Sequence, residues 1–413
     1  VHYRARDIEV NMIGISSDSY EDRKHSSTDG ILVFPGPPDF NYPAVKNVWN
    51  YLRRIYKNVY MRIDDSNYVN LFVGCKEGVR RFRLNPRPNT KNVLLRWLFS
   101  VPKVHIPILL KSRKDVNAVL FFQCFDPLTL FIAKILRKRT VFLYGGSRYQ
   151  VAKINMASGL CTFSEIIIQM IRDIILYPLS FFLFNRIILV TDKILQMEPR
   201  LRAFKHKIRT AYGIPSEDFF EKFKPLIPLS RRNKVVGFIG ACRAVKGIHI
   251  FLKAVSRQKY DMQFIMISDC SKTEPKPLLK YVKKYMLSIL EHHNDVLFFR
   301  YVSNDELNTY LNKMKLLVMP SLTEGLPAVA LEAMACGTPV LASPVGALQD
   351  LIKDGSTGYI ISENTAEFLS SKIYKIIDND DELTKISRNA LNFIKNNYSF
   401  EKSLEMWRNA ILT

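Results

Sequence analysis

The chain has 413 residues, 47% of them hydrophobic and 24% charged, with a formal net charge of +22. That length points to two domains, and that balance is the balance of a globular protein with apolar material for two cores. The most apolar stretch, residues 174–185, runs 12 residues without a charge, against about 20 for a membrane span, so it is expected to form a buried or interfacial helix.

The charge is unevenly spread. Residues 1–250 carry 41 Lys and Arg against 19 Asp and Glu, whereas residues 251–413 carry 19 of each. Residues 51–150 hold 20 basic and 5 acidic residues. A basic first half attracts anions, whether nucleic acid, acidic headgroups or a phosphorylated substrate, and charge alone does not choose among them. The six cysteines, Cys75, Cys124, Cys161, Cys242, Cys270 and Cys336, contain no CxxC pair. Neither a disulfide framework nor a zinc site is expected, and a reducing compartment fits. His292–His293 lacks metal-ligand spacing. Four charges in the first ten residues argue against a secretory leader. Residues 1–30 read either as an extension or as the remainder of a sheet whose first unit is absent.

In chain order, Ile31–Phe34 predicts a strand and Ala44–Lys57 a helix. Residues 80–113 interleave nine Lys or Arg, from Arg80 to Arg113, with Phe82, Leu94, Leu95, Trp97 and Leu98. Such a mixture suits a membrane interface. Ala118–Phe122 and Val141–Tyr144 read as buried strands around a basic helix, Thr129–Arg139, and Ile187–Val190 as another strand. Residues 214–233, with Pro215, Pro225 and Pro228, read as a linker with few positions able to pack regularly. Beyond it the pattern alternates. Strands are expected at Val235–Ile239, Gln263–Ile267, Val296–Phe299, Leu316–Met319 and Val340–Ala342. Helices are expected at Gly247–Ser256, Leu278–His292, Asp305–Asn312 and Val329–Ala335. Ser303 and Glu306 form a capping box, and Gly337 with Pro339 stops the last of these helices. Alternation of this kind predicts a parallel, doubly wound sheet.

Two segments carry chemistry. Residues 320–346 read PSLTEGLPAVALEAMACGTPVLASPVG. A strand runs into a turn at Glu324–Gly325, and a helix begins near Pro327, where a residue without an N–H is tolerated. The free N–H groups of that turn make an anion site, which Gly325 lets a ligand approach. Glu332 lies eight residues past Glu324, about 9–12 Å along a helix. That is too far for one acid–base pair, and suitable for holding hydroxyls at two ends of an extended ligand. Residues 240–247 read GACRAVKG. They follow one strand and precede one helix, and place Arg243 and Lys246 where a phosphate would sit.

Together these segments resemble the donor-binding half of retaining glycosyltransferases of family 4, the glycosyl transferases of group 1. The likeness covers residues 205–413 well and residues 100–200 loosely. Glu324 and Glu332 fit the family's glutamate, seven residues, glutamate pattern. Gly240, Lys246 and Gly247 fit its phosphate loop, in which the arginine position is Ala241 here and Arg243 stands two residues on. Gly213 in AYGIP, Asp354–Gly358 and a final helix near Phe400–Leu412 extend the match. The aspartate-valine-x-histidine pattern of the family's first half is absent, since residues 115–124 read DVNAVLFFQC.

The resemblance implies the α/β fold called GT-B: two Rossmann-like, doubly wound parallel-sheet domains facing a central cleft, with a C-terminal helix crossing back to the first. It implies an acceptor-side domain over residues 1–213, a linker over 214–233, a nucleotide-sugar donor domain over 234–396 and a cross-over helix over 397–413. It implies that Lys246, with Arg243, neutralises the leaving diphosphate. Glu324 and the backbone of Gly325, Leu326 and Pro327 would hold the donor sugar and phosphate, Gly240 would free the loop, and Glu332 would accept from the ribose hydroxyls. No metal and no cofactor is expected, the UDP- or GDP-sugar being the donor substrate. The expected partners are that donor, a glycan or polyprenyl- or lipid-linked acceptor, and an anionic membrane surface met by the basic N-terminal domain. The expected location is the cytoplasmic face of a membrane. No nucleic-acid module is legible. The alternatives are a basic nucleic-acid- or membrane-binding protein on an inactive scaffold of this kind, and a sugar-nucleotide epimerase.

Overall fold

The computed structural model describes residues 30–35, 43–64, 68–75, 78–86, 105–111, 114–122, 125, 127–159, 177–213, 215–257, 262–270, 276–292 and 296–412. The chain divides into two compact units: residues 1–143 with 183–186, and residues 144–182 with 187–413.

The first unit holds β1 (Gly30–Pro35), β2 (Asn58–Asp64), β3 (Tyr68–Cys75), β4 (Gly78–Pro86), β5 (Ala118–Phe122) and β6 (Arg139–Tyr144), in the order β4-β3-β2-β1-β5-β6. β1 pairs parallel with both β2 and β5, and β5 with β6. The strands β1 and β5 are continuous apolar runs and are wholly buried over Ile31–Phe34 and Ala118–Phe122, as strands covered on both faces must be. β2, β3 and β4 form an antiparallel meander, so the sheet is mixed rather than parallel throughout. The expected helix Ala44–Lys57 is Pro43–Ile55, and the basic helix is Pro127–Ile135. Arg80, Arg81 and Arg83 of the basic stretch lie on β4. Arg87, Lys91, Leu94, Leu95, Arg96, Trp97, Leu98 and Lys103 lie outside the described residues, as do residues 1–29.

The second unit takes in β7 (Arg186–Leu189) from Ile187 on, paired parallel with β8 (Ile208–Thr210). It also holds a six-stranded sheet of β9 (Val235–Ile239), β10 (Gln263–Ile267), β11 (Val296–Phe299), β12 (Leu316–Met319), β13 (Val340–Ala342) and β14 (Tyr359–Ile360). Every pairing in that sheet is parallel, and the order is β11-β10-β9-β12-β13-β14. Five of its strands have the bounds read from the sequence. Side chains alternate between two cores, as a period of two requires. Val236, Phe238, Phe264, Met266, Leu316, Val318 and Leu341 enter one; Val235, Ile265, Ile267, Leu317, Met319, Val340 and Ala342 enter the other. The helices Ile248–Val255, Lys276–His292 and Ala366–Ile377 cover the first face, Asn304–Lys313 and Ala328–Ala335 the second, and Asp380–Asn397 contributes to both. The Ser303–Glu306 capping box is formed, and Gly337 ends its helix at φ 68°.

Three expectations give way. The linker packs: Phe219, Phe223 and Leu229 are buried in the two cores, and Arg232 is 6% exposed. Its prolines break regular structure without preventing burial, because two phenylalanines one helical turn apart reach the same core. Cys242 and Cys270 form a disulfide although no CxxC spacing announces one. They follow adjacent parallel strands, β9 and β10, so the sheet brings their Cα atoms to 5.1 Å across 28 residues. Residues 174–176 of the apolar stretch lie outside the described residues, and the rest of it, 177–185, is not helical throughout. Tyr177–Ser180 is a single turn, after which Phe181 and Phe184 are buried and Phe182 is exposed. No helix among the described residues is long and apolar enough to cross a membrane.

The final helix, Phe400–Leu412, packs beside β8. Its Trp407 is fully buried and donates from Nε1 to the Tyr212 carbonyl at 3.2 Å.

Candidate active site

Strand order alone marks a place. From β9 the chain steps outward to β10 and β11, and later returns to lay β12 on the other side of β9. The loops leaving β9 and β12 therefore diverge to opposite faces, and in doubly wound sheets the crevice so formed is where ligands bind. The two loops that leave there are residues 240–247 and 320–327, the two segments singled out in the sequence.

Backbone contacts fit them together. Leu322 N donates to Val245 O at 2.8 Å. Gly247 sits at φ 69°, and a Cβ there would lie 1.9 Å from the Pro320 carbonyl oxygen. Gly346, at φ 53°, similarly abuts the Glu324 carbonyl, and Ala347 N donates to Gly325 O at 2.8 Å. The turn at Glu324–Gly325 is thus held from both sides by residues that tolerate no side chain.

On this frame Lys246 Nζ donates to both Glu324 carboxylate oxygens at 2.7 Å, and Ser321 Oγ donates to Oε1 at 2.8 Å. The Glu324 side chain is 6% exposed and that of Lys246 31%. Paired charges are what a buried carboxylate requires. Pro327 caps the helix Ala328–Ala335 with no side-chain bond, which leaves the first helical N–H groups facing the turn. Leu326 is half-buried and Pro327 buried.

Glu332 is inside that helix and 9% exposed. Among the described residues no hydrogen bond or ion pair reaches its carboxyl, and burial pushes its pKa up to about 7. A carboxyl in that state is poised to accept hydroxyl hydrogen bonds from a bound molecule. Gly240 donates its N–H to Ile267 O at 3.1 Å, and a Cβ there would meet only side chains at ordinary distance. Arg243 is exposed at the head of the 3-10 turn Ala244–Lys246. The structure therefore brings Lys246 and Glu324 together and leaves Arg243 apart from them. No group of three or more His, Cys, Asp or Glu able to hold a metal occurs among the described residues.

Sequence reasoning missed three contributors. Ser321 lies inside the motif, three residues before Glu324, and its spacing could have flagged it. Cys242 is tied to Cys270 through the sheet. Glu198, fully buried, accepts from Tyr144 Oη at 2.9 Å, Tyr149 N at 3.3 Å and Arg200 Nε at 2.6 Å. It fixes the turn that precedes the helix Arg148–Ser158, whose Gly145 carbonyl lies against Gly325 so closely that a Cβ on Gly325 would come within 1.7 Å. No local pattern around Glu198 reveals this, because Tyr144 and Tyr149 are about fifty residues away and only Arg200 is near in sequence.

Comparison with known proteins places the chain among glycosyltransferase-like sequences and folds. Residues 219–393 match the family described as glycosyl transferases group 1. An uncharacterized glycosyltransferase of Methanocaldococcus jannaschii is 32% identical over 165 residues, 40% of this chain and 44% of that protein. The MMP alpha-(1->4)-mannosyltransferase of Mycolicibacterium hassiacum is 29% identical over 160 residues, 38% of each chain. The capsular polysaccharide biosynthesis glycosyltransferase CapM of Staphylococcus aureus is 26% identical over 198 residues, 46% of this chain and 49% of that one. The matched region spans less than half the length of each of these relatives. Solved structures align over nearly the whole chain. Sucrose-phosphate synthase from Thermosynechococcus elongatus has a TM-score of 0.69 at 17% identity, covering 92% of this chain and 98% of that one. Anabaena HepE in complex with UDP and glucose has a TM-score of 0.64 at 14% identity, covering 92% and 99%. The chain has the GT-B fold.

Proposed function

We propose that this chain is a retaining, metal-independent glycosyltransferase of family 4. It would move a sugar from a UDP- or GDP-sugar to a cell-surface glycan or a polyprenyl- or lipid-linked acceptor at the cytoplasmic face of a membrane. The observation that carries the proposal is the Lys246–Glu324–Ser321 cluster at the β9/β12 crevice, beside a helix N-terminus and a buried Glu332 that no partner reaches among the described residues. The family match over residues 219–393 covers these residues.

In this reading the diphosphate lies against the N–H groups that precede the helix Ala328–Ala335 and against Lys246. Lys246 then shares its charge between phosphate and Glu324. Glu332 accepts from the ribose. As the bond from the sugar's anomeric carbon to the phosphate oxygen breaks, charge grows on the diphosphate, where fixed N–H groups and the ammonium are already aimed. The acceptor oxygen bonds to the same face of that carbon, and its proton passes to the departing phosphate oxygen. No protein nucleophile is needed.

A thermal-shift panel of UDP- and GDP-sugars on wild type and Glu332→Ala tests the reading, since a ligand bound only by the folded chain raises its apparent stability. A shift with one donor that weakens in the variant supports it. No shift with any donor at millimolar concentration, in a folded sample, would favour the inactive-scaffold alternative, which Ala241 at the family's arginine position makes concrete.

A further inference from the structure

We propose that the exposed apolar stripe of the helix Pro127–Ile135 docks this chain on an anionic lipid bilayer. The inference puts named residues to the membrane contact suggested above and rests on that part of the reading.

Leu128, Phe131 and Ile135 stand three and four residues apart, which sets them within about 60° of one another around a helix. They are 38%, 54% and 63% exposed, while Thr129, Leu130 and Ala133 on the other side are fully buried. The helix therefore has a complete core face and a second apolar face turned to solvent. The neighbouring helix Ile106–Lys111 adds the exposed Leu110, and His105 and Thr129 side chains join the two elements at 2.6 Å. Lys134 Nζ donates to Asn185 Oδ1 at 3.0 Å, tying in the turn that carries the partly exposed Leu183.

Charge complementarity selects the occupant. Residues 127–143 contain four Lys or Arg and no Asp or Glu. Lys134, the exposed Arg137 and Arg139 lie at or just past the C-terminal end of the stripe, and apolar residues flanked by cations sit at the headgroup boundary of acidic bilayers. The end of the helix points the same way. Lys138 N donates to Ala133 O and Arg137 N to Lys134 O, both at 2.9 Å, which is the closing pattern that usually places glycine in the left-handed position. Here that position is Arg137, at φ 54°. An exposed cation stands where the backbone favours glycine.

The test is co-sedimentation of the full chain with phosphatidylcholine vesicles, with and without phosphatidylglycerol, at low and high salt. Wild type is expected to pellet with the phosphatidylglycerol vesicles and to be released by salt. The double variant Phe131→Ser, Ile135→Ser should lose about tenfold in vesicle affinity. Arg137→Gly should lose about fivefold with no fall in melting temperature, since the backbone is relieved. Thermal shifts with nucleotide sugars on the same samples should be unchanged, which separates failure of the docking surface from failure of the donor site. Wild type that ignores acidic vesicles, or a double variant that binds them as well as wild type, overturns the proposal. So does a wild-type dimer in light scattering that the double variant dissolves without change in vesicle binding.

Discussion

Arg232 is a buried cation whose six acceptors are all neutral oxygens. Its guanidinium donates to the carbonyls of Ile227, Leu311, Met314 and Cys336, to Thr338 Oγ1 and to Asn312 Oδ1, at 2.7 to 3.3 Å. Leu311, Met314 and Cys336 stand at the C-terminal ends of the helices Asn304–Lys313 and Ala328–Ala335. Orphan carbonyls and the negative ends of two helix dipoles thus replace a carboxylate. Desolvation still lowers its pKa to about 10. Arg232→Met should cost about 3–5 kcal/mol of stability, because the carbonyls lose their donor while staying buried, and urea denaturation reads this directly. At the site, Lys246→Met should lower transfer about 100- to 1000-fold, with an unchanged near-ultraviolet spectrum as the control for folding. If Glu332 holds the ribose as proposed, donor binding should depend on pH. The folded pKa of Glu332, raised from 4.5 to about 7, means that the stability it contributes is full below the unfolded value and is lost as pH rises through 7. Donor affinity should change the opposite way, rising about tenfold between about pH 6 and pH 8 if only the carboxylate accepts from the ribose. Glu332→Gln should flatten both profiles in titrations across that range.

Elements decide how much of this could be read in advance. The six-stranded sheet was legible almost to the residue because short apolar runs such as LLVM and VVGFI alternate with capped, amphipathic helices. The loops of the candidate site were legible because glycine and proline stand at fixed places around Glu324 and Lys246. The β2-β3-β4 meander was not, since strands such as NVYMRID and GVRRFRLNP break the apolar alternation with charge. β4 is an edge strand, where charge guards against pairing with another chain; the arginines that looked like an interface segment are partly explained by that position. Glu198 and the Cys242–Cys270 bond were illegible for another reason: their partners meet only once the strands are ordered. The Glu324–Gly325 turn yields a prediction at this scale. Gly325→Ala would force its methyl into the Gly145 carbonyl. The β12 turn and the turn before the helix Arg148–Ser158 must then separate, so donor affinity should fall more than tenfold in calorimetry while Lys246 and Glu324 are still present.

For the molecule as a whole, the disulfide is the feature that composition argued against and topology made. By cross-linking the loops after β9 and β10 it constrains the unfolded chain, and a bridge closing a loop of this length is worth about 3.6 kcal/mol in the loop-entropy account. A dithiol reductant should therefore shift the urea midpoint of wild type downward and leave that of Cys242→Ser where it is. The excess of positive charge in residues 1–250, set against the balanced remainder, fits a division of labour. On the proposed reading, one part of the chain would meet an acidic surface, while the Lys246–Glu324 pair of the other would meet a diphosphate.

The same bond changes how the chain responds to force. If the molecule is pulled by its two ends, the stretch between Cys242 and Cys270, 28 residues of sequence separation, lies off the load path. Strands β9 and β10 then rupture with about 100 Å less extension than a reduced chain gives, at roughly 3.6 Å per residue. A translocase or protease motor threading the chain from its C-terminus would meet a covalent loop there that must enter doubled or be cut open first.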